Sequence, residues 1–572
     1  MTFRTCRRAA TVAVAIALLA ARFAAAQVAA VAEEPRSTES LAAEIERMLV
    51  EAYPDAEGPG AALLVVRQGE VLYRGARGMA NLELGVPLSA DHVFRLGSIT
   101  KQFTAAAILL LEERGKLTVD DPITEYLPDF PTHGHEITIA HLLTHTSGIY
   151  NLTDIPGYMD QPVRQDVTTE ELIDAFRDLD PEFEPGERWD YSNSGYILLG
   201  AIIEKVSGQS YAEFMRENVF EPLGLHHTDC DGTRIIPNRA SGYELAGDGY
   251  ANAAFISMTQ PHGAGVLVST VDDLVRWNAA LAGGELISKE SYERMTRPAV
   301  LDDGTEAPYG YGFSVGDVRS LPAVHHGGGI HGFVTFALYL PGEDVYVAAL
   351  SNLPGGGMGP GPLALRAGAL VAGDPFPDHE RAAIDPTILE RYVGVYRIGH
   401  TATRTVTLEG GKLYTQRSGG LKVEAIPHSE TGFFYEQSLT HGEMVLDDSG
   451  AVSHMLMYHD GASEPERAER TDEEVVVPPT EEADVDPAIY DRYEGRYQLA
   501  PGFVLTVTRE GDRLFAQATG QPRFEIFPSS ETEFFVKLVD ARLVFEVGVE
   551  GPAASVTLHQ AGQVVPGPRL DD

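Results

Sequence analysis

Phe94-Arg95-Leu96-Gly97-Ser98-Ile99-Thr100-Lys101 joins a loop closing on glycine to a helix. Phe103, Ala106, Ala107, Leu110, Leu111 and Arg114 follow at i, i+3, i+4, i+7, i+8 and i+11, which predicts one helical stripe facing a core. Gly115 stands where a C′ residue ends such a helix. Ser98 is therefore expected at the helix N-terminus, with Lys101 one turn on and on the same face.

That placement suits acyl transfer. A serine hydroxyl is a poor nucleophile until a base takes its proton. A lysine one turn away can serve once burial and a nearby cation lower its pKa. The first N–H groups of the helix point to where negative charge would develop. On its own S-x-x-K recurs by chance, and a serine at a helix start is ordinary capping chemistry. Partners elsewhere in the chain have to support it.

A chain of 572 residues with 44% hydrophobic content is long enough for two to four domains. Arg4, Arg7 and Arg8, the apolar run 9–21 and Ala24-Ala25-Ala26 read as a secretory signal peptide over residues 1–26. The run is too short to span a bilayer comfortably, and no later segment reads as transmembrane, so no membrane insertion is expected after cleavage. Loss of the signal's four arginines takes the formal charge from −41 to −45. Such a surface repels nucleic acid and anionic membranes. Only Cys230 would survive processing, which rules out an intrachain disulfide.

Residues 27–40 read as a flexible lead, followed by a helical pattern over 41–52. Strand-like runs at 61–67 and 71–75 flank Gln68-Gly69-Glu70, a hairpin signal. Residues 137–145 form a short helical patch that Thr146-Ser147-Gly148 stops. Tyr191-Ser192-Asn193 falls in a loop before an apolar helix over 196–206; there Tyr191 could equally fill a core and Asn193 cap the helix. Another helix from about Val271 carries Trp277. Val324-His325-His326-Gly327-Gly328-Gly329-Ile330-His331 precedes two strand-like runs, 333–340 and 344–350, and reads either as a ligand-approach segment or as a glycine turn. His325, His326 and His331 raise a metal site, but there is no HExxH and no carboxylate at ligand spacing. No metal and no cofactor is expected.

S-x-x-K, then Y-x-N, then a basic residue and glycine beside a strand form an ordered constellation, related to the S-x-x-K, S-D-N and K-T-G triplet of β-lactamases and penicillin-binding proteins. With His141-Leu142-Leu143-Thr144-His145-Thr146-Ser147-Gly148-Ile149 and Pro185-Gly186-Glu187, the chain resembles the class C β-lactamase, family VIII esterase and D-aminopeptidase branch over residues 41–372. The resemblance implies an α+β fold, an antiparallel sheet with helices on both faces. It implies Ser98 as the acylated nucleophile and Lys101 as the group that deprotonates it. Tyr191 would relay protons, and Asn193 would orient Lys101 and the substrate. His326 and Gly328 would stand where K-T-G has its lysine and glycine and would bind substrate. The N–H groups of Ser98 and Gly329 would form the oxyanion hole. A histidine at 326 departs from the permanent charge of a lysine and leans away from a dedicated β-lactamase.

Gly373-Asp374-Pro375-Phe376-Pro377 reads as a linker. Beyond it a repeat runs at an offset of 101 residues: Arg391-Tyr392, Gly394 and Tyr396 match Arg492-Tyr493, Gly495 and Tyr497; Ser429-Glu430-Thr431 and Phe433-Phe434 match Ser530-Glu531-Thr532 and Phe534-Phe535. Residues 385–470 and 486–572 are thus expected as two small antiparallel barrels, separated by an acidic linker over 471–485. The resemblance points to the lipocalin-like accessory barrels of D-aminopeptidase-type members. The expectation is an exported serine hydrolase working through an acyl-enzyme on a small-molecule or peptide substrate. D-amino-acid peptides, peptidoglycan fragments and small esters are the substrates implied. A class C-type β-lactamase and a non-turnover penicillin- or peptide-binding protein are the alternatives.

Overall fold

The computed structural model describes residues 36–570 except 248, 356, 400–401, 419, 461, 463, 474, 476–481, 501–502, 520–522, 537–540, 549–550 and 561–562. The expected signal peptide and residues 474 and 476–481 of the acidic linker lie outside the described residues. The first described helix, α1 (Thr38–Ala52), starts inside the stretch expected to be a flexible lead, because the Ser37 hydroxyl accepts the Ser40 N–H and caps it.

Six strands build the central sheet: β1 (Ala61–Arg67), β2 (Glu70–Arg77), β3 (Ser314–Val318), β4 (Leu321–Ile330), β5 (Phe333–Leu340) and β6 (Val345–Ser351). Their order is β3-β4-β5-β6-β1-β2, antiparallel throughout. Side chains alternate across a strand, so β1 sends Ala61, Leu63 and Val65 to one face and Ala62, Leu64 and Val66 to the other. Both faces are covered, which is why β1 reads as an unbroken apolar run. On the first face pack α1 and α5 (Pro360–Ala372). On the second lie α2 (Thr100–Glu113), α3 (Asn193–Ser207) and α4 (Val271–Gly283).

Helix α2 departs from the one-stripe expectation, since every residue from Thr100 to Leu111 is buried. Its polar residues are used internally. Thr104 Oγ1 donates to Gly263 O (2.6 Å), Thr100 Oγ1 accepts the Leu267 N–H (3.1 Å), and Trp277 Nε1 donates to Gln102 Oε1 (3.2 Å) while its ring stacks on Phe103. These bonds fix the segment 263–269 against the start of α2.

The glycine-rich segment expected beside a strand is itself strand β4. Its β3 partner ends at His325, so the outer edge of residues 326–330 turns towards the Ser98 loop. Two glycines make the approach possible. A Cβ on Gly97 (φ +55°) would meet Gly329 N at 2.9 Å, and a Cβ on Gly328 would meet Leu96 O at 1.9 Å.

The C-terminal third holds two eight-stranded antiparallel barrels, the first closed, the second brought round by a bridge between Tyr497 and Arg569. They share one internal tie. Tyr392 and Tyr493 donate to the carbonyls of Glu430 and Glu531, and Tyr396 and Tyr497 donate to the carbonyls of Tyr392 and Tyr493. Arg470 and Arg569 cover the rings of Tyr396 and Tyr497 at 5.8 and 5.7 Å. Among the described residues no helix is long and apolar enough to cross a membrane.

Gly328→Ala is expected to destabilise the chain by about 1–3 kcal/mol, the usual effect of overpacking, and to slow covalent labelling of Ser98. Denaturant unfolding and labelling rate check this; a variant matching the wild type in both would show that the close approach of β4 is dispensable.

Candidate active site

Ser98 sits in the helical turn Gly97–Ile99 that leads into α2. The first N–H groups of such a turn have no preceding carbonyl within it, so they are open to an anion. Lys101 is fully buried, and its Nζ lies 3.1 Å from Ser98 Oγ, 2.8 Å from Asn193 Oδ1 and 2.9 Å from Ala264 O. Burial holds the ammonium pKa well below its ordinary value. The sequence reading asked for burial and a nearby cation; burial is what the structure supplies. A neutral amine has two hydrogens and one lone pair. The amide oxygen of Asn193 and the carbonyl of Ala264 can only accept, so they take both hydrogens, and the lone pair faces the Ser98 hydroxyl.

Tyr191 and Asn193 are set in place by the segment 145–153. The carbonyls of His145, Thr146 and Gly148 accept from the N–H groups of Asp190 (2.9 Å), Gly186 (2.9 Å) and Glu182 (2.8 Å). Ser192 N–H donates to His145 Nδ1 (3.1 Å), and the Ser192 side chain caps α3. Asn193 is thus the first residue of α3, not the capping residue. Its own N–H donates to Asn151 Oδ1 (2.9 Å) and its Nδ2 to Thr153 Oγ1 (3.3 Å), which turns Oδ1 towards Lys101. Burial raises the Tyr191 pKa, against a smaller lowering by the nearby Ser98 hydroxyl, so the phenol is neutral at rest. Lys101 Nζ lies 4.8 Å from the centre of the Tyr191 ring.

Lys101 and Tyr191 therefore lie beside the Ser98 hydroxyl, and Asn193 joins them through Lys101. Gly329 lines the cleft beside Ser98, whereas Gly328 and His326 do not. His326 is buried; Tyr309 OH donates to its Nε2 (2.7 Å) and its Nδ1 donates to Gly327 O (2.5 Å). Burial pushes its pKa down to about 3, so it is neutral and both ring nitrogens are occupied. His325 turns away to stack on Phe336, so the three histidines do not converge. No cluster of three or more His, Cys, Asp or Glu among the described residues could hold a metal. Asn151, Thr153, Tyr309 and the Ala264 carbonyl belong to the site without having been singled out in the sequence. His145 was visible only as part of a motif.

A family model for beta-lactamase matches residues 45–370, which span this sheet, these helices and this site. The chain belongs to the beta-lactamase family. As a member it is a serine hydrolase, and a domain of unknown function (DUF3471) matches twice more, at 378–473 and 479–568. Penicillin-binding protein 4* of Bacillus subtilis (strain 168) is 33% identical over 426 residues, 70% of this chain and 93% of that protein. D-aminopeptidase of Gluconobacter oxydans (strain 621H) is 30% identical over 302 residues, 52% of this chain and 56% of that protein. Among solved structures, the octameric penicillin-binding protein homologue from Pyrococcus abyssi shares the fold with a TM-score of 0.54 at 27% identity, covering 75% of this chain and 99% of that one.

Between about pH 6.5 and about 3 the unfolded chain binds a proton at His326 that the folded beta-lactamase-family domain does not. Acidification through that window therefore favours unfolding, by about 1.4 kcal/mol per pH unit for one such group. His326→Gln is expected to flatten the unfolding free energy between about pH 6 and pH 4 by that amount. An unchanged slope would contradict a buried neutral imidazole.

Proposed function

We propose that the chain is an exported serine hydrolase that opens ester or amide bonds through an acyl-enzyme on Ser98. One observation carries this reading: the Nζ of buried Lys101 lies 3.1 Å from Ser98 Oγ, with Asn193 Oδ1 and Ala264 O as its other partners. In acylation Lys101 takes the Ser98 proton as Oγ bonds to the substrate carbonyl carbon. The N–H groups of Ser98 and Gly329 receive the oxyanion. As the tetrahedral intermediate collapses, the Tyr191 phenol protonates the leaving group and is reprotonated from Lys101. Water then attacks the acyl ester, its proton returns by the same pair, and Ser98 is released.

A D-aminopeptidase and an esterase among the relatives support D-amino-acid peptides and small esters as substrate classes, and the family resemblance of the sequence adds peptidoglycan fragments. The neutral, internally bonded His326 offers no fixed charge for a β-lactam carboxylate, so β-lactamase activity is not the favoured reading. The complete set of side chains around Ser98 speaks against a receptor without turnover. Export rests on residues 1–26.

A fluorophosphonate is expected to add to Ser98, located by peptide mass, and not to Ser98→Ala. Lys101→Ala is expected to lower kcat/KM by about 10²–10⁴-fold, the range for loss of a general base. Tyr191→Phe is expected to slow turnover with accumulation of acyl-enzyme. Label on Ser98→Ala, or a fully active Tyr191→Phe, would overturn these assignments.

A further inference from the structure

The cleft beside Ser98 has a volume of about 140 Å³. Among the described residues, no Asp, Glu, Lys or Arg side chain lines it. Its apolar lining includes Leu152, Met159, Val163, Ile197, Ile256 and Ile330. His331 also lines the cleft; burial lowers its pKa, opposed by Glu244 and reinforced by Arg95 and Arg164.

The polar side chains of the wall are mostly consumed by the protein. Tyr158 OH donates to Gln260 Oε1 (2.5 Å), and Gln260 Nε2 donates to the carbonyls of Pro162 (3.1 Å) and Gln165 (2.8 Å). Asn193 Oδ1 is held by Lys101. Thr153 is different. Its Oγ1 accepts from Asn151 Nδ2 (2.8 Å) and Asn193 Nδ2 (3.3 Å), so its own hydrogen is left to donate into the cleft. Apart from Ser98, the wall thus presents apolar surface, the Thr153 hydroxyl and the His331 imidazole, with no carboxylate for an ammonium and no Lys or Arg side chain for a carboxylate.

We propose that this cleft selects acyl donors whose acyl group is uncharged and apolar, with neither an α-ammonium nor a carboxylate next to the scissile carbonyl, and that Thr153 donates a hydrogen bond to such a substrate. The proposal rests on the acyl-enzyme reading and narrows its substrate. It turns away from free D-aminoacyl substrates, because a charge entering an apolar cleft loses its hydration and finds no side-chain counter-charge.

Four methyl esters that share one phenyl-bearing chain test it: 3-phenylpropanoate, D-phenylalaninate, L-phenylalaninate and the half-ester of benzylmalonate, assayed below pH 7 where the amino group is protonated. The expected kcat/KM for 3-phenylpropanoate is at least tenfold above each charged analogue. Met159→Glu, which adds a carboxylate at an exposed position of the wall, is expected to narrow the gap to the two phenylalaninates and widen that to benzylmalonate. Thr153→Val is expected to lower kcat/KM for 3-phenylpropanoate. A D-phenylalaninate rate equal to or above that of 3-phenylpropanoate, or no hydrolysis of any ester by protein that a fluorophosphonate still labels at Ser98, overturns the substrate assignment alone. Absence of label at Ser98 overturns the acyl-enzyme reading and this proposal with it.

Discussion

A primary amine buried without a counter-ion governs this structure. A charged Lys101 in that position would be strongly disfavoured, since no carboxylate is among its hydrogen-bond partners and three neutral oxygens surround it. Losing the proton removes that penalty and turns the side chain into a base. The same burial that gives α2 its apolar surroundings thus prepares the chemistry at its N-terminus. The nearby histidines add no positive charge, because burial drives the pKa of His145 and His326 down as well.

Three separate parts of the chain have to converge for this to work. The sheet brings β4 edge-on to the Ser98 loop, with Gly97 and Gly328 omitting the Cβ atoms that would hold the two backbones apart. The segment 145–153 holds the Tyr191–Asn193 turn through paired backbone bonds and the Ser192–His145 contact. The segment 263–269 is stitched to α2 by Thr100 and Thr104, and so presents the Ala264 carbonyl to Lys101. Conserving the amine's two hydrogens for fixed acceptors is what leaves its lone pair to the serine. Among the described residues, none from the two barrels lines the cleft beside Ser98.

Much of this was legible in the sequence, for physical reasons. The existence of helix α2, though not its burial on every side, the stop at Gly115, the hairpin at 68–70 and the repeat at a constant offset are local patterns. Ser98, Lys101, Tyr191 and Asn193 sit in short motifs whose order along the chain made their convergence expected. What was hidden depends on tertiary placement. The Ala264 carbonyl is backbone and has no signature in residue type. Tyr309 and Thr153 become part of the site only through partners far away in sequence. Residues 326–330 read as a turn or ligand-approach loop because glycine disfavours strands; pairing with β5 overrides that preference. His326 was expected to bind substrate without a lysine's permanent charge; its bonds to Tyr309 and Gly327, which occupy both ring nitrogens, depend on partners the sequence does not single out.

The protonation state of Lys101 is the claim on which the rest stands. The most direct measurement is the pH dependence of the rate at which a fluorophosphonate inactivates Ser98, since that step needs the base but no proton delivered to an amine or alcohol leaving group. The account predicts a rate that reaches its plateau near neutral pH, with a midpoint well below 10.5, the ordinary lysine value. A rate that keeps climbing up to the ordinary lysine range would mean a charged ammonium at rest, and would contradict the account.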